Sequence, residues 1–311
     1  MSLIIISGGS GLIGSNLTRH LLDRNHDVVI LTREKNKTSE DKRIQYSFWD
    51  VKKQVVDVEL INKADHIIHL AGAGVMDKKW TAEYKKEIVN SRTKSAELLI
   101  NSIDKNTPRL RSFISASAIG YYGPDQNPLP HKDGFIETDL PAPGFLSETC
   151  VLWEASSEPV KQSGIRLVKF RTGIVLANGG GALQEFKTPL KFGVAPIFGN
   201  GKQIISWIHI DDLCRMYCDA IENDFMQGVY NAVAPEPVSQ KKFMIKLGEK
   251  VKNRFFTPMH IPHFMLKLIL GKRSIEILKS ATVSNKKIKA SGFTFLYPSL
   301  DAALDDLAGN K

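Results

Sequence analysis

Three glycines, Gly8, Gly11 and Gly14, stand directly after an apolar run, Leu3-Ile4-Ile5-Ile6, and among residues that recur as Leu12, Ile13, Leu17, Leu21 and Leu22. The run reads as a buried parallel strand, and the recurrence behind it as a helix packed on a sheet. At such a junction each glycine has its own task. Gly8 permits the tight turn, Gly11 lets backbone approach a pyrophosphate, and Gly14 lets the helix close on the strand. Ser10, Leu12 and Ile13 complete a turn whose free N–H groups, at the positive end of the helix, face an anion. The chemistry expected from this spacing is the holding of a dinucleotide.

A second strand, Asp27-Val28-Val29-Ile30-Leu31, ends in Thr32-Arg33. A carboxylate at this place would accept from a ribose 2′-hydroxyl and repel a 2′-phosphate, whereas a hydroxyl and a guanidinium bind that phosphate with charge assistance. The cofactor expected is therefore NADP(H) rather than NAD(H). The plainer alternative for Arg33 is a solvated loop cation beside Lys35 and Lys37.

The elements that must position these residues follow in order. Residues 44–50 alternate and stop at Asp50, and Asp65-His66-Ile67-Ile68-His69-Leu70-Ala71-Gly72 reads as a buried strand entering a small-residue turn. A long helix is predicted over 81–102, with strands over 112–117 and 166–171 and a glycine loop at 178–181. This alternation gives right-handed βαβ units, hence an α/β, Rossmann-type doubly wound parallel sheet. Ligands in such sheets lie at the carboxyl ends of the strands, where Gly8, Thr32, Asp50, Leu70, Ala71, Gly72 and Ser115 fall.

From about residue 173 the alternation weakens and prolines punctuate shorter elements, as expected of a smaller C-terminal substrate lobe. Ser206-Trp207-Ile208-His209-Ile210-Asp211-Asp212 is expected to return the chain to the main domain. The predicted division is thus residues 1–172 and 206–231 for the NADP-binding domain and 173–205 and 232–311 for the lobe. The apolar stretch 264–270 is too short to span a bilayer and reads as core or lobe interface, with a lipid-facing helix as the alternative.

At 311 residues, 42% hydrophobic and 24% charged, the chain has the composition of an ordinary globular protein. The net charge of +9 comes from dispersed Lys and Arg with no nucleic-acid motif, so no nucleic-acid partner is expected. No membrane partner is expected either, and with no export signal read at the start the location expected is cytoplasmic. Cys150, Cys214 and Cys218 read as reduced structural thiols. No metal is expected, because His260 and His263 lack a third ligand, and His209 reads as a satisfied buried histidine beside Asp211.

Taken together, GGSGLIG at 8–14, Leu31-Thr32-Arg33, His69-Leu70-Ala71-Gly72, Asn90-Ser91-Arg92-Thr93, SASAIGYYG at 115–123 and SWIHIDD at 206–212 resemble the extended short-chain dehydrogenase/reductases. That superfamily includes nucleotide-sugar epimerases and dehydratases. A narrower resemblance, to an atypical NAD(P)-dependent epimerase-like branch also labelled cell-division-inhibitor-like, rests on LAGAGVMDKKW (70–80), YYG (121–123), FLSETCVLWE (145–154), RTGIVLANGGGAL (171–183) and GFTFLYPSLDAAL (292–304).

The resemblance implies dinucleotide contacts from Glu87 and Arg92, for which the alternative is a solvated helical ion pair. It also points to a Tyr and a Lys four residues later as the acid/base couple. That couple is missing: Phe145 with Thr149, or Leu146 with Cys150, stands in its place. Ser117 and Tyr122 are the substitutes to consider, with Tyr121 behind them, and packing is the alternative for each. Three readings stay open. One is an NADP(H)-dependent oxidoreductase or epimerase acting on a small carbonyl compound or sugar nucleotide. Another is an NADP(H)-binding regulator without turnover, and the last is a structural dinucleotide beside a site on the second lobe. A homodimer is compatible with each.

Overall fold

The computed structural model describes residues 1–308 except 107 and 254, with only the backbone of 270, so residues 309–311 of the expected lobe lie outside it. The chain runs β1 (Leu3–Ser7), α1 (Leu12–Asp23), β2 (Asp27–Thr32), β3 (Ile44–Phe48), α2 (Val58–Lys63), β4 (His66–His69), α3 (Ala82–Asn101), β5 (Ser112–Ala118), α4 (Phe145–Ser157) and β6 (Arg166–Thr172). There follow β7 (Ile174–Leu176), α5 (Gly181–Lys191), β8 (Val194–Phe198), β9 (Ile204–Ile205), β10 (Trp207–His209), α6 (Ile210–Glu222) and β11 (Gly228–Ala232). The last elements are β12 (Val238–Ser239), α7 (Gln240–Lys252), β13 (Thr257–Ile261), α8 (His263–Leu270), α9 (Ser274–Leu278), α10 (Lys286–Ala290) and α11 (Leu300–Ala308).

Seven strands form one parallel sheet in the order β11-β6-β5-β4-β1-β2-β3. The unbroken apolar runs of β1 and β2 are explained by burial on both faces, because successive side chains point to opposite sides. Ile4, Ile6, Val28 and Ile30 pack with Leu17 and Leu21 of α1 and with Leu213 and Tyr217 of α6. Ile5, Val29 and Leu31 pack on the other side with Ile61, Leu99 and Ile103. Each fully buried Ile in these layers contributes about 1.5–3 kcal/mol relative to exposure. The order reverses at β1, with β2 on one side and β4 on the other, which opens a crevice at the carboxyl ends of these strands.

A separate core lies in the second half, where Leu183 and Leu190 of α5, Ile197 of β8, Trp207 of β10, Phe243 and Leu247 of α7, and Leu300 and Leu304 of α11 meet. β10 pairs with β7 in a two-stranded sheet, and it is α6 that carries the chain back to cover α1. The apolar stretch of α8 departs from expectation. Phe264 is 72% and Leu268 85% exposed, so the helix packs inward through Leu266 and turns these side chains to solvent. No helix among the described residues is long and apolar enough to cross a membrane.

Burial gives β4 a pH dependence. Desolvation lowers the pKa of His66 to about 4 and of His69 to about 3, and His69 Nε2 meets Ser95 Oγ at 2.7 Å. The folded chain keeps both rings neutral while the unfolded chain takes up protons below about pH 6.5. Stability is therefore full above that pH and is lost as the pH falls toward the folded values. His69 alone is expected to account for a loss of about 2 kcal/mol between pH 6.5 and pH 5. Urea midpoints at the two pH values test it: His69→Asn should flatten the profile, and an unchanged slope would refute the assignment.

Candidate functional site

The β1–α1 turn is closed by contacts that tolerate no side chain. Gly8 has φ +76°, and a Cβ on it would lie 2.9 Å from Ala71 N; one on Gly14 would lie 2.4 Å from Gly8 O and 2.5 Å from Gly9 Cα. Gly11 N donates to Gly8 O at 3.0 Å. Gly11 then caps α1 with no side-chain hydrogen bond and no acid in the first turn, so the N–H groups beyond it face the crevice at the positive end of the helix. Ser10 is exposed and Leu12 and Ile13 are half-buried on this lip. A second helix start comes to the same place: α5 begins after Gly180, also without a side-chain cap, and a Cβ on Gly181 would lie 2.9 Å from Leu12 Cδ2. The turn can hold a diphosphate between the two helix ends.

On one side of the turn stands the end of β2. Thr32 is buried and its Oγ1 accepts from Glu34 N at 3.1 Å. Arg33 is exposed and has no ion pair among the described residues, whereas Lys37 pairs with Glu34. Asp50, just beyond β3, has one carboxylate oxygen engaged. Its Oδ1 accepts from Lys52 N and Lys53 N at 2.9 and 3.1 Å, closing its own turn.

On the other side the chain leaves β4. Leu70 N donates to Ser7 O at 3.0 Å and Ala71 N to Ser7 Oγ at 3.4 Å. Gly72 leaves room for the Arg92 guanidinium, which a Cβ there would meet at 3.0 Å. Arg92 is buried, donates to Ala73 O at 3.0 Å and Ile88 O at 2.9 Å, and lies over the Trp153 ring. These contacts hold it against the 70–73 turn. Glu87 is exposed with Lys78 Nζ 3.9 Å away, so no Glu87–Arg92 helical pair forms. Ser115 is fully buried in β5 and its hydroxyl donates to Ala116 O at 3.1 Å.

The two catalytic candidates are bound up in a buried network. Ser117 Oγ donates to Glu154 Oε1 at 2.7 Å. Arg171 grips the same carboxylate with Nε at 2.7 Å and Nη2 at 2.9 Å, and its Nη1 donates to Tyr122 OH at 2.9 Å. Tyr122 OH donates in turn to Asn231 Oδ1 at 2.7 Å, and its ring stacks on Phe135. Burial raises the phenol pKa despite the nearby guanidinium. The structure thus speaks against proton transfer by Tyr122, which is 1% exposed, and against Ser117 donating to a carbonyl, since its proton is engaged. Tyr121 lies with its ring 3.4 Å from Arg171 Cζ. Sequence reasoning passed over Glu154, Arg171 and Asn231. The available signal was a charged residue inside an apolar helix and another inside a buried strand, each of which requires a partner.

Beside this network a cavity of about 350 Å3 opens at the start of α4, lined by Trp80, Lys85, Phe145, Lys272, Ile275 and Lys279 among others. Phe145 meets Trp80 edge to face at 5.1 Å. Lys85 Nζ stands 4.7 Å from the Phe145 ring centroid and has no carboxylate partner among the described residues. Cys150 is buried one turn further on, its thiol pKa pushed up to about 11, so no thiolate is available at neutral pH. Away from the cavity His209 Nδ1 accepts from Asp211 N at 3.1 Å, and its Nε2 faces Asp306 at 3.4 Å. His260 and His263 are exposed.

Residues 4–144 match the NAD dependent epimerase/dehydratase family, and residues 261–307, which supply Lys272 and Lys279, match a domain of unknown function, DUF1731. An epimerase family protein of Staphylococcus aureus is 35% identical over 99% of both chains. The human epimerase family protein SDR39U1, crystallised with NADPH, superposes with a TM-score of 0.84 at 27% identity, covering 98% of this chain and 99% of that one. A nucleoside-diphosphate sugar epimerase from Corynebacterium glutamicum gives 0.76 at 29% identity, with 99% of this chain covering 58% of that longer one. The glycine turn, the seven-stranded parallel sheet and a likeness that runs the whole length of the chain lead to one assignment: the protein belongs to the NAD dependent epimerase/dehydratase family.

Proposed function

We propose that the protein binds NADP(H) on the α1 turn and acts as an oxidoreductase or epimerase on a small, anionic carbonyl or sugar-nucleotide substrate held in the cavity at α4. The observation that carries this reading is the uncapped start of α1, closed by Gly8 and Gly14, with the unpaired Arg33 at the neighbouring strand end. Those groups fit a diphosphate and a 2′-phosphate, and the human relative crystallised with NADPH supports the same cofactor. Gly8, Ser10, Gly11, Leu12, Ile13 and Gly14 would hold the diphosphate, and Thr32 and Arg33 the ribose phosphate. The backbone from Leu70 to Gly72 would follow the nucleotide. When bound, the nicotinamide supplies hydride exchange.

In the cavity Lys85 is the group placed to meet a substrate oxygen. Its ammonium, resting on Phe145 and free of a carboxylate, can hold an anionic group or polarise a carbonyl. Lys85→Met is expected to lower kcat/KM at least about a hundredfold while leaving NADPH affinity unchanged. Consumption of reduced nicotinamide over a panel of carbonyl compounds, together with epimer formation from sugar nucleotides in the presence of the oxidised cofactor, reads this out, and equal turnover by the variant in both assays would discard the role. Arg33→Asp is expected to lower the NADPH:NADH affinity ratio at least about tenfold, a loss of about 1.4 kcal/mol. An unchanged ratio would leave Arg33 a plain surface cation. A second reading, an NADP(H)-binding regulator without turnover, draws on the engaged hydroxyls of Ser117 and Tyr122. Tight NADPH binding with no turnover across the panel would favour it.

A further inference from the structure

Helix α8 turns its apolar side outward. At about 100° per residue, Phe264, Leu268, Met265 and Ile269 fall within an arc of about 140°. All four are exposed, at 72%, 85%, 42% and 63%. Leu266, on the opposite side, is buried and docks the helix. Ile275, just beyond, is again exposed. Apolar clusters of this kind are uncommon on a solitary soluble chain and mark an interaction surface.

The charge around the arc says what covers it. Residues 263–279 contain four basic side chains, Lys267, Lys272, Arg273 and Lys279, against one acid, Glu276, which pairs with Lys279. Lys267 borders the apolar arc, and it and Lys272 are exposed with no carboxylate partner among the described residues. A second copy of the chain would set this positive face against itself, like charge on like charge. An apolar arc bordered by cations instead suits a helix lying in the headgroup layer of an anionic bilayer.

We propose that the protein docks peripherally on anionic lipid surfaces through α8 and the residues that follow to Ile275. Phe264 and Leu268 enter the boundary between headgroups and acyl chains, and Lys267 and Lys272 meet the lipid phosphates. No helix of the described residues is long and apolar enough to cross a membrane, so docking is in the plane of the surface. It stands apart from the α1 turn but shares Lys272 and Ile275 with the rim of the cavity at α4, so Phe264, Leu268 and Lys267, which do not line that cavity, are the residues that test it.

The test is co-sedimentation of the full chain with vesicles of phosphatidylcholine alone and of phosphatidylcholine mixed two to one with phosphatidylglycerol. Binding to the mixed vesicles is expected to be at least about tenfold stronger, to weaken as salt is raised, and to be lost in Phe264→Ser/Leu268→Ser and reduced in Lys267→Glu. Urea midpoints of both variants should match that of the parent chain, because the replaced side chains lie in solvent. Failure to bind the mixed vesicles, or equal binding by Phe264→Ser/Leu268→Ser, would overturn the proposal. So would a dimer in light scattering that this double variant dissolves, since the face would then belong to a second copy.

Discussion

Replacing Glu154 with leucine is expected to remove about 3–5 kcal/mol of folding stability, the usual cost of taking one partner from a buried ion pair. Glu154 is 6% and Arg171 3% exposed. Burial works against the Arg171 charge, and the two-pronged grip on Glu154 more than restores it, raising the guanidinium pKa. Without the carboxylate, Arg171 keeps only Tyr122 OH and Glu137 O, and the Ser117 hydroxyl loses its acceptor. Whole domains are stable by about 5–15 kcal/mol, so the loss is a large share of the total. The double variant Glu154→Leu/Arg171→Met removes both charges, leaves Lys169, which stands 3.9 Å from Glu154 Oε2, on its nearer partner Glu158, and is expected to recover much of the loss. Denaturant midpoints check both, and a loss under about 1 kcal/mol in Glu154→Leu would contradict a pair under this much burial. The network ties α4 to the ends of β5 and β6.

Gly14→Val is expected to lower NADPH affinity at least about tenfold, or about 1.4 kcal/mol, and to cost about 1–3 kcal/mol of stability by overpacking. The atoms a Cβ would strike, Gly8 O and Gly9 Cα, are backbone, so the turn itself must open. Gly11→Ala separates packing from ligand approach. A Cβ on Gly11 would meet only Gly8 O, at 3.3 Å, and its φ of −78° suits any residue. Its fold should therefore survive, and any lost affinity would report a phosphate passing over the residue. Calorimetric titration with NADPH reads both variants, and undiminished binding by Gly14→Val would place the dinucleotide elsewhere.

The sheet was legible because its strands are buried on both faces, which leaves an unbroken apolar signature in Ile4-Ile5-Ile6 and Val28-Val29-Ile30. The long helix was legible through its ends, Thr81 accepting from Tyr84 N and Ser102 closing the last turn. The glycine turn could be read because Gly at fixed spacing is demanded by backbone contacts. Side-chain partnerships across the fold could not. Ser117 and Glu154 are 37 positions apart, and Tyr122 and Asn231 are 109 apart, so no local pattern announces that these hydroxyls are engaged. Asp50 shows the same ambiguity from the other direction, because an acid at a strand end serves a ligand and an Asx turn equally well in sequence. For α8, a run of apolar residues is the same in sequence whether it faces a core or solvent.

The most direct test is a titration of the purified full chain with NADPH and, separately, with NADH under the same salt and pH. The result expected is saturable one-to-one binding of NADPH, with NADH at least about tenfold weaker because it lacks the phosphate that Arg33 would meet. NADH binding as tightly as NADPH, or no binding of either, would contradict the assignment of the α1 turn and Arg33 as an NADP(H) site.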